Sequence, residues 1–176
     1  MDQRVVDPEG FGPPDGSGAA AVSGVPEAML AAGLDPLESR AWRAFLARHA
    51  RVTRRLEADL LARNALPLAE FDVLFQLAIA DGRRLRMNEL ADRVLLSRAG
   101  ITRLVDRLIA DGLVSRVKCD SDARGYFAVL TATGLDRLEA ATPGHLDAVR
   151  RYFLESFTTV ELETLAELME RSRPLG

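Results

Sequence analysis

The hydrophobic period of this chain changes twice between Met87 and Thr131, and that change limits its fold more than any other feature. In "SRAGITRLVDRLIAD" (97–111), Ile101, Leu104, Val105 and Leu108 occupy i, i+3, i+4 and i+7, the spacing of one helical face. Ser97 is placed to cap the start of this helix and Gly112 to end it. A shorter helix is expected just before it, in "MNELADRV" (87–94). Just after it, "LVSRVK" and "YFAVL" alternate at period two, as two strands joined through "CDSDARG", with Gly125 allowing a tight tip. Helix, turn, helix and β-hairpin in this order give a winged helix-turn-helix.

The flanking segments read as helices. From Leu37 to about Asn64, Trp42, Phe45, Leu46, His49, Val52, Leu56 and Leu60 recur at three and four and form one apolar stripe. Such a helix would be roughly 40 Å long, too long for a small domain to cover, so part of the stripe is expected to meet a partner subunit. Pro67 opens a helix over Leu68–Ala80, with Phe71, Leu74, Phe75 and Ala78 inward and Asp81-Gly82 as its stop. Thr131 is placed to cap a helix over 132–141, Pro143-Gly144 to interrupt it, and a further helix to run from His145 to Ser156. Thr158 and Glu161 have the spacing of a capping box that opens a last helix to about Ser172. Residues 1–34 are rich in Gly, Pro, Ala and Asp without periodicity and are expected to be a disordered tail. The fold class is therefore mainly α with a small β-wing.

Composition narrows the function. No run of about 18 apolar residues occurs, so no membrane span is expected, and the acidic start lacks the apolar region of a secretory signal. A single cysteine, Cys119, excludes an internal disulfide framework and a multi-cysteine zinc site. His49 and His145 show no metal-ligand spacing. There is no nucleophile elbow, glycine-rich phosphate loop or paired nucleophile and base, so no enzyme, cofactor or metal is expected. The net charge of −3 hides an asymmetry: residues 82–125 hold ten bases against six acids, while residues 1–36 hold one base against six acids. A local positive patch attracts polyanions whatever the total charge.

If the face of 97–111 bearing Ile101, Leu104, Val105 and Leu108 packs inward, Ala99, Thr102, Arg103, Asp106 and Arg107 face out, with Arg98 near the N-terminal end. A helix that enters the DNA major groove needs this division, with Arg, Thr and small residues toward base edges and phosphates. In the hairpin, Asp122 lies two residues before Arg124 and can hold that guanidinium extended toward a minor groove. The competing readings are an amphipathic helix with solvated arginines and a surface turn with an incidental Asp–Arg pair.

The run Met87–Thr131 resembles the DNA-binding lobe of MarR-type transcriptional regulators, through "NELA", "SRAGITRLVDRLIADGLVSR", the wing "DARG" and the closing "LT". The resemblance covers residues 37–173 and includes "PGHLDAVRRYF". It implies a cytoplasmic, nucleoid-associated homodimer that binds a pseudo-palindromic operator in double-stranded DNA and represses by occupying a promoter. It also implies a helical dimerisation region from residues 35–66 and 132–176, and a DNA-binding lobe over 67–131. Ser97, Arg98, Ala99, Thr102, Arg103 and Arg107 fall at recognition-helix positions, and Asp122 with Arg124 at the wing. The wing departs from many relatives, which carry two arginines where "DSDAR" has one.

Members of the family commonly respond to a small aromatic or anionic effector. The candidates for holding one here are Trp42 and His49 on the long helix, and Asp72, which matches a urate-holding position in one subgroup. Cys119, at the base of the wing, reads as a strand-end residue, and His145 as structural. The alternative to a DNA regulator is a winged-helix module for protein contacts without specific DNA binding. Exposed arginines at 98, 103, 107 and 124 argue against that alternative.

Overall fold

The computed structural model describes residues 33–94, 98–119 and 122–171, without the side chains of Arg98, Cys119 and residues 122–124. The expected disordered tail, apart from residues 33 and 34, and the Ser97 cap lie outside the described residues. The chain divides into two units, residues 1–44 and 45–176. In the first unit, Asp35 opens helix α1 (Pro36–Asn64). Its Oδ1 accepts from the amides of Leu37 at 2.7 Å and Glu38 at 2.9 Å, while Glu38 Oε2 accepts from the Asp35 amide at 2.8 Å. That reciprocal arrangement satisfies donors that a helix start otherwise leaves open.

The second unit holds the rest of α1, then α2 (Leu68–Ala78), a 3-10 turn (Asp81–Arg83), β1 (Arg84–Arg86), α3 (Met87–Arg93) and α4 (Arg98–Ala110). After these come β2 (Val114–Cys119), β3 (Asp122–Leu130), α5 (Ala132–Tyr152), a second 3-10 turn (Leu154–Ser156) and α6 (Thr159–Glu170). The sheet is antiparallel with order β1-β3-β2; Leu85 faces Ala128 in one pair and Arg116 faces Ala128 in the other. Leu74 and Leu77 of α2, Leu90 of α3, Ile101, Val105 and Leu108 of α4, and Ala128 of β3 form the centre of the core.

Two junctions fix how these elements meet. Gly112, at φ 72°, takes the left-handed conformation that ends α4, and the Leu113 amide reaches back to the Leu108 carbonyl at 2.8 Å. Thr131 then closes the hairpin. Its hydroxyl donates toward the carbonyls of Gly112 (2.8 Å) and Leu113 (3.0 Å), its amide donates to Leu113 O at 3.2 Å, and its Oγ1 accepts from the Gly134 amide at 3.0 Å to cap α5. A Cβ on Gly134 would stand 2.1 Å from the Leu113 carbonyl oxygen, so only glycine fits there. At the other junction, Ala65 ends α1 at φ 47°, and Arg137 of α5 donates to the carbonyls of Asn64 and Ala65. A cation on the last carbonyls complements the helix dipole.

Several expectations need correction. Residues 132–152 form one helix, with Pro143 inside it, rather than two helices broken at Pro143-Gly144. Pro143 and its would-be acceptor Glu139 are solvent-exposed, so water can serve the freed carbonyl. Gly134, Leu138, Ala141 and Ala148 stay buried along one continuous face. That packing outweighs the local penalty, which is about 3 kcal/mol. Phe75 is 42% exposed rather than inward; Val73 and Leu77 are buried instead. Helix α2 stops at Ala78, two residues early, and the three-residue strand β1 was not anticipated, being too short to show a period. Gly125 lies within β3 rather than in the turn, because the ladder shifts register after Lys118 and pairs Cys119 with Asp122. The Thr158–Glu161 capping box is present.

His145 packs its ring against Phe71, with centroids 4.3 Å apart, and shares a cleft with Asp59 and Arg63 of α1. Its Nδ1 is buried without a hydrogen-bond partner among the described residues. Burial lowers its pKa from the ordinary 6.5. Folding then favours the neutral ring, so this contribution is complete above the unfolded value and is lost as pH falls through 6.5 toward the folded pKa. His145→Gln should flatten the fall in melting temperature between about pH 7 and about pH 5 that the parent shows; thermal melts at stepped pH measure this. Gly134→Ala should destabilise the protein by about 3 kcal/mol or more, since backbone must move. Urea unfolding checks that value.

Candidate nucleic-acid interface

Helix α4 has the two faces that the spacing required. Ile101, Leu104, Val105 and Leu108 are buried, whereas Ala99, Thr102, Arg103, Asp106 and Arg107 are exposed. Burial on one side holds the helix rigidly, and its exposed side carries two guanidinium groups, a hydroxyl and a carboxylate. Arg98 begins the helix, and Asp122 and Arg124 lie in β3, all three placed by backbone alone.

Two acids that the sequence reading did not link to function hold cations of this surface. Glu70, in the first turn of α2, is only 8% exposed, and its Oε1 accepts from Arg107 Nε at 3.4 Å. A buried carboxylate there gains from the helix N-terminus and from its ion pair. Arg107 itself remains 61% exposed at the side chain. Asp106 Oδ1 accepts from Arg116 Nη2 of β2 at 2.8 Å, and the Arg116 guanidinium lies 5.8 Å from the Tyr126 ring centroid. On the opposite face of the sheet, Arg84 and Arg86 stand 5.1 and 5.5 Å from the Phe127 ring. Cation–π contact of this kind orders arginines without removing their charge. The one clue to Glu70 in the sequence is an acid inside the apolar run "LAEFDVLF". Arg116 carried no clue beyond its place in a strand.

Of the three candidate effector residues, Trp42 is exposed and lies in the first unit. His49 is exposed on α1, with its ring stacked 6.1 Å from Phe45. Asp72 is exposed by area, yet protein crowds its carboxyl, and desolvation, followed by the charge of Glu57, raises its pKa from 3.8. Glu57 is itself held by the Leu68 amide at 2.6 Å. Among the described residues, no group of His, Cys, Asp and Glu is arranged to hold a metal ion, and no helix is long and apolar enough to cross a membrane.

Comparison with known proteins agrees with this geometry. The family model described as MarR family matches residues 66–125, from the end of α1 to the wing. The HTH-type transcriptional repressor YetL of Bacillus subtilis is 35% identical over 113 residues, covering 62% of this chain and 68% of that protein. Sco3205, a MarR family regulator from Streptomyces coelicolor solved in complex with DNA, is 34% identical with a TM-score of 0.73, covering 78% of this chain and 87% of that one. AbsC, a MarR family regulator from the same organism, is 33% identical with a TM-score of 0.72, covering 78% of this chain and 92% of that one. Identity at this level over most of each relative, on the same winged-helix fold, shows that the chain belongs to the MarR family of transcriptional regulators.

Proposed function

We propose that this regulator binds a pseudo-palindromic operator in double-stranded DNA as a homodimer and represses transcription by occupying a promoter. The observation that carries the reading is the division of α4, with an apolar side locked in the core beside an exposed side bearing Thr102, Arg103 and Arg107. Ser97, Arg98 and Ala99 complete the recognition positions, and Arg124, with Asp122, is assigned to the adjacent minor groove. The relative named a repressor and the relative solved with DNA support the direction of this reading.

The homodimer is inferred from surface that one chain leaves uncovered. Phe45 and Leu46 of α1, and Val160, Leu168 and Met169 of α6, are exposed, and α6 has no buried residue. Apolar helix faces of this kind are covered by a second copy in homodimers. The dimerisation region is accordingly assigned to residues 35–66 and 132–176 and the DNA-binding lobe to 67–131. Two recognition helices related by a two-fold axis would enter major grooves about 10 base pairs apart. A small aromatic or anionic effector would release the operator by preferring a dimer with a different helix spacing; Trp42, His49 and Asp72 are separate candidates for contacting one. The site of action is the nucleoid in the cytoplasm.

Fluorescence anisotropy on DNA from upstream of the chain's own gene, at two salt concentrations with competitor DNA, tests the reading. Tight, competitor-resistant binding is the expected result, with affinity falling steeply as salt rises. Binding that competitor abolishes would leave the protein-contact module as the better account. Arg103→Ala and Arg124→Ala should each weaken binding by about 1–3 kcal/mol, the scale of a lost groove contact. Leu168→Glu combined with Met169→Glu should shift the dimer toward monomer in sedimentation velocity while leaving helix content unchanged. A dimer indifferent to both changes would remove α6 from the interface.

A further inference from the structure

We propose that Asp106 is a positioning residue for the wing, setting through Arg116 the angle at which the β2–β3 hairpin leaves the DNA-binding lobe. The inference rests on the reading of the chain as a DNA-binding protein. Alternate residues of the hairpin share a face, and on the core side these are Val114, Arg116 and Lys118 of β2 and Tyr126, Ala128 and Leu130 of β3. Val114, Ala128 and Leu130 are buried, but Lys118 and Tyr126 are exposed. On this face the apolar contacts therefore hold the hairpin only at its base, while along β3 the β1 ladder reaches Phe127.

Arg116 stands where those contacts end. It pairs with Ala128 in the register, lies over the ring of Tyr126 one diagonal further out, and spans to α4 through the 2.8 Å contact with Asp106. The six residues of β2 make a lever roughly 17 Å long, so a swing of about 10° at the base displaces the outer end by about 3 Å. That displacement is enough to lose a hydrogen bond to a base or phosphate. An exposed ion pair adds little to global stability; here Arg116 and Asp106 are 35% and 53% exposed, so the effect of the pair should fall on geometry.

The sign of the effect separates this role from simple electrostatics. Asp106 is a negative charge on the exposed side of α4 that also bears Arg103 and Arg107, and it meets Arg116, so removing it would ordinarily tighten binding to a polyanion. If Arg116 served only as a phosphate contact, freeing it from Asp106 would have the same result. Positioning requires the opposite. Asp106→Asn should weaken operator binding roughly fivefold, the coupling scale of paired side chains, with an unchanged melting temperature. In an Arg116→Gln background the same change should cost nothing further.

The experiment is a double-mutant cycle on operator affinity with Asp106→Asn, Arg116→Gln and the pair. It is accompanied by hydrogen exchange of the outer hairpin in DNA-free protein. The supporting result is weaker binding by each single variant, no additional loss in the pair, and faster exchange of the hairpin amides outside Val114 and Leu130 in Asp106→Asn. Equal or tighter binding by Asp106→Asn, additive losses, or unchanged hairpin exchange would each overturn the proposal. A wild-type protein without specific DNA binding would defeat the DNA reading alone. The exchange measurement needs no DNA and would still decide whether Asp106 holds the wing.

Discussion

One carbonyl oxygen, that of Leu113, sets the arrangement of everything around it. It accepts from both the amide and the hydroxyl of Thr131, and it stands where a Cβ of Gly134 would otherwise be. The end of α4, the base of the hairpin and the start of α5 thus converge on one point, and none can shift without breaking a hydrogen bond or parting the close contact that Gly134 allows. Helix α4 is fixed by this knot at one end. Along its length, the buried Glu70 grips Arg107 and Asp106 meets Arg116. Consecutive residues of α4 are thereby tied to α2 and to β2.

The parts of the fold legible in the sequence were those with a period or a cap. The face bearing Ile101, Leu104, Val105 and Leu108, the Thr131 cap and the Thr158–Glu161 box each express a local rule in their own residues. The failures came where neighbours in space decide. Pro143 argues locally for a break, but the packed face from Gly134 to Ala148 keeps the helix whole. Phe75 looks like core by spacing and is left outside because Val73 and Leu77 turn inward in its place. Strand β1 has only three residues and exists because Leu85 faces Ala128 across the ladder.

The candidate site divides in the same way. Thr102, Arg103 and Arg107 could be named from helical spacing alone, since exposure follows once the opposite face is buried. Their supports could not, because Glu70 lies 37 residues from Arg107 in sequence and Asp106 lies 10 from Arg116. Nothing in a single chain announces which acid will reach which base. Trp42 and His49 were singled out by their place on the stripe of α1 and are exposed, whereas Asp72 was proposed by resemblance and has its carboxyl crowded by protein.

Helix α5 carries a mechanical consequence in the middle of its span. Pro143 removes one rung of the hydrogen-bond ladder on the solvent side, which lowers the resistance to bending at that step. Before it, Gly134, Leu138 and Ala141 are packed with the winged lobe; after it, Tyr152 is tethered by its hydroxyl to Asp59 of α1 at 3.0 Å. The helix is nevertheless tied on each side of that step: Arg137, before it, holds the last carbonyls of α1, and His145, after it, packs its ring on Phe71 of α2. The softened rung therefore lies inside a clamp, and bending there would have to break contacts to α1 or α2 before the helix itself gave way.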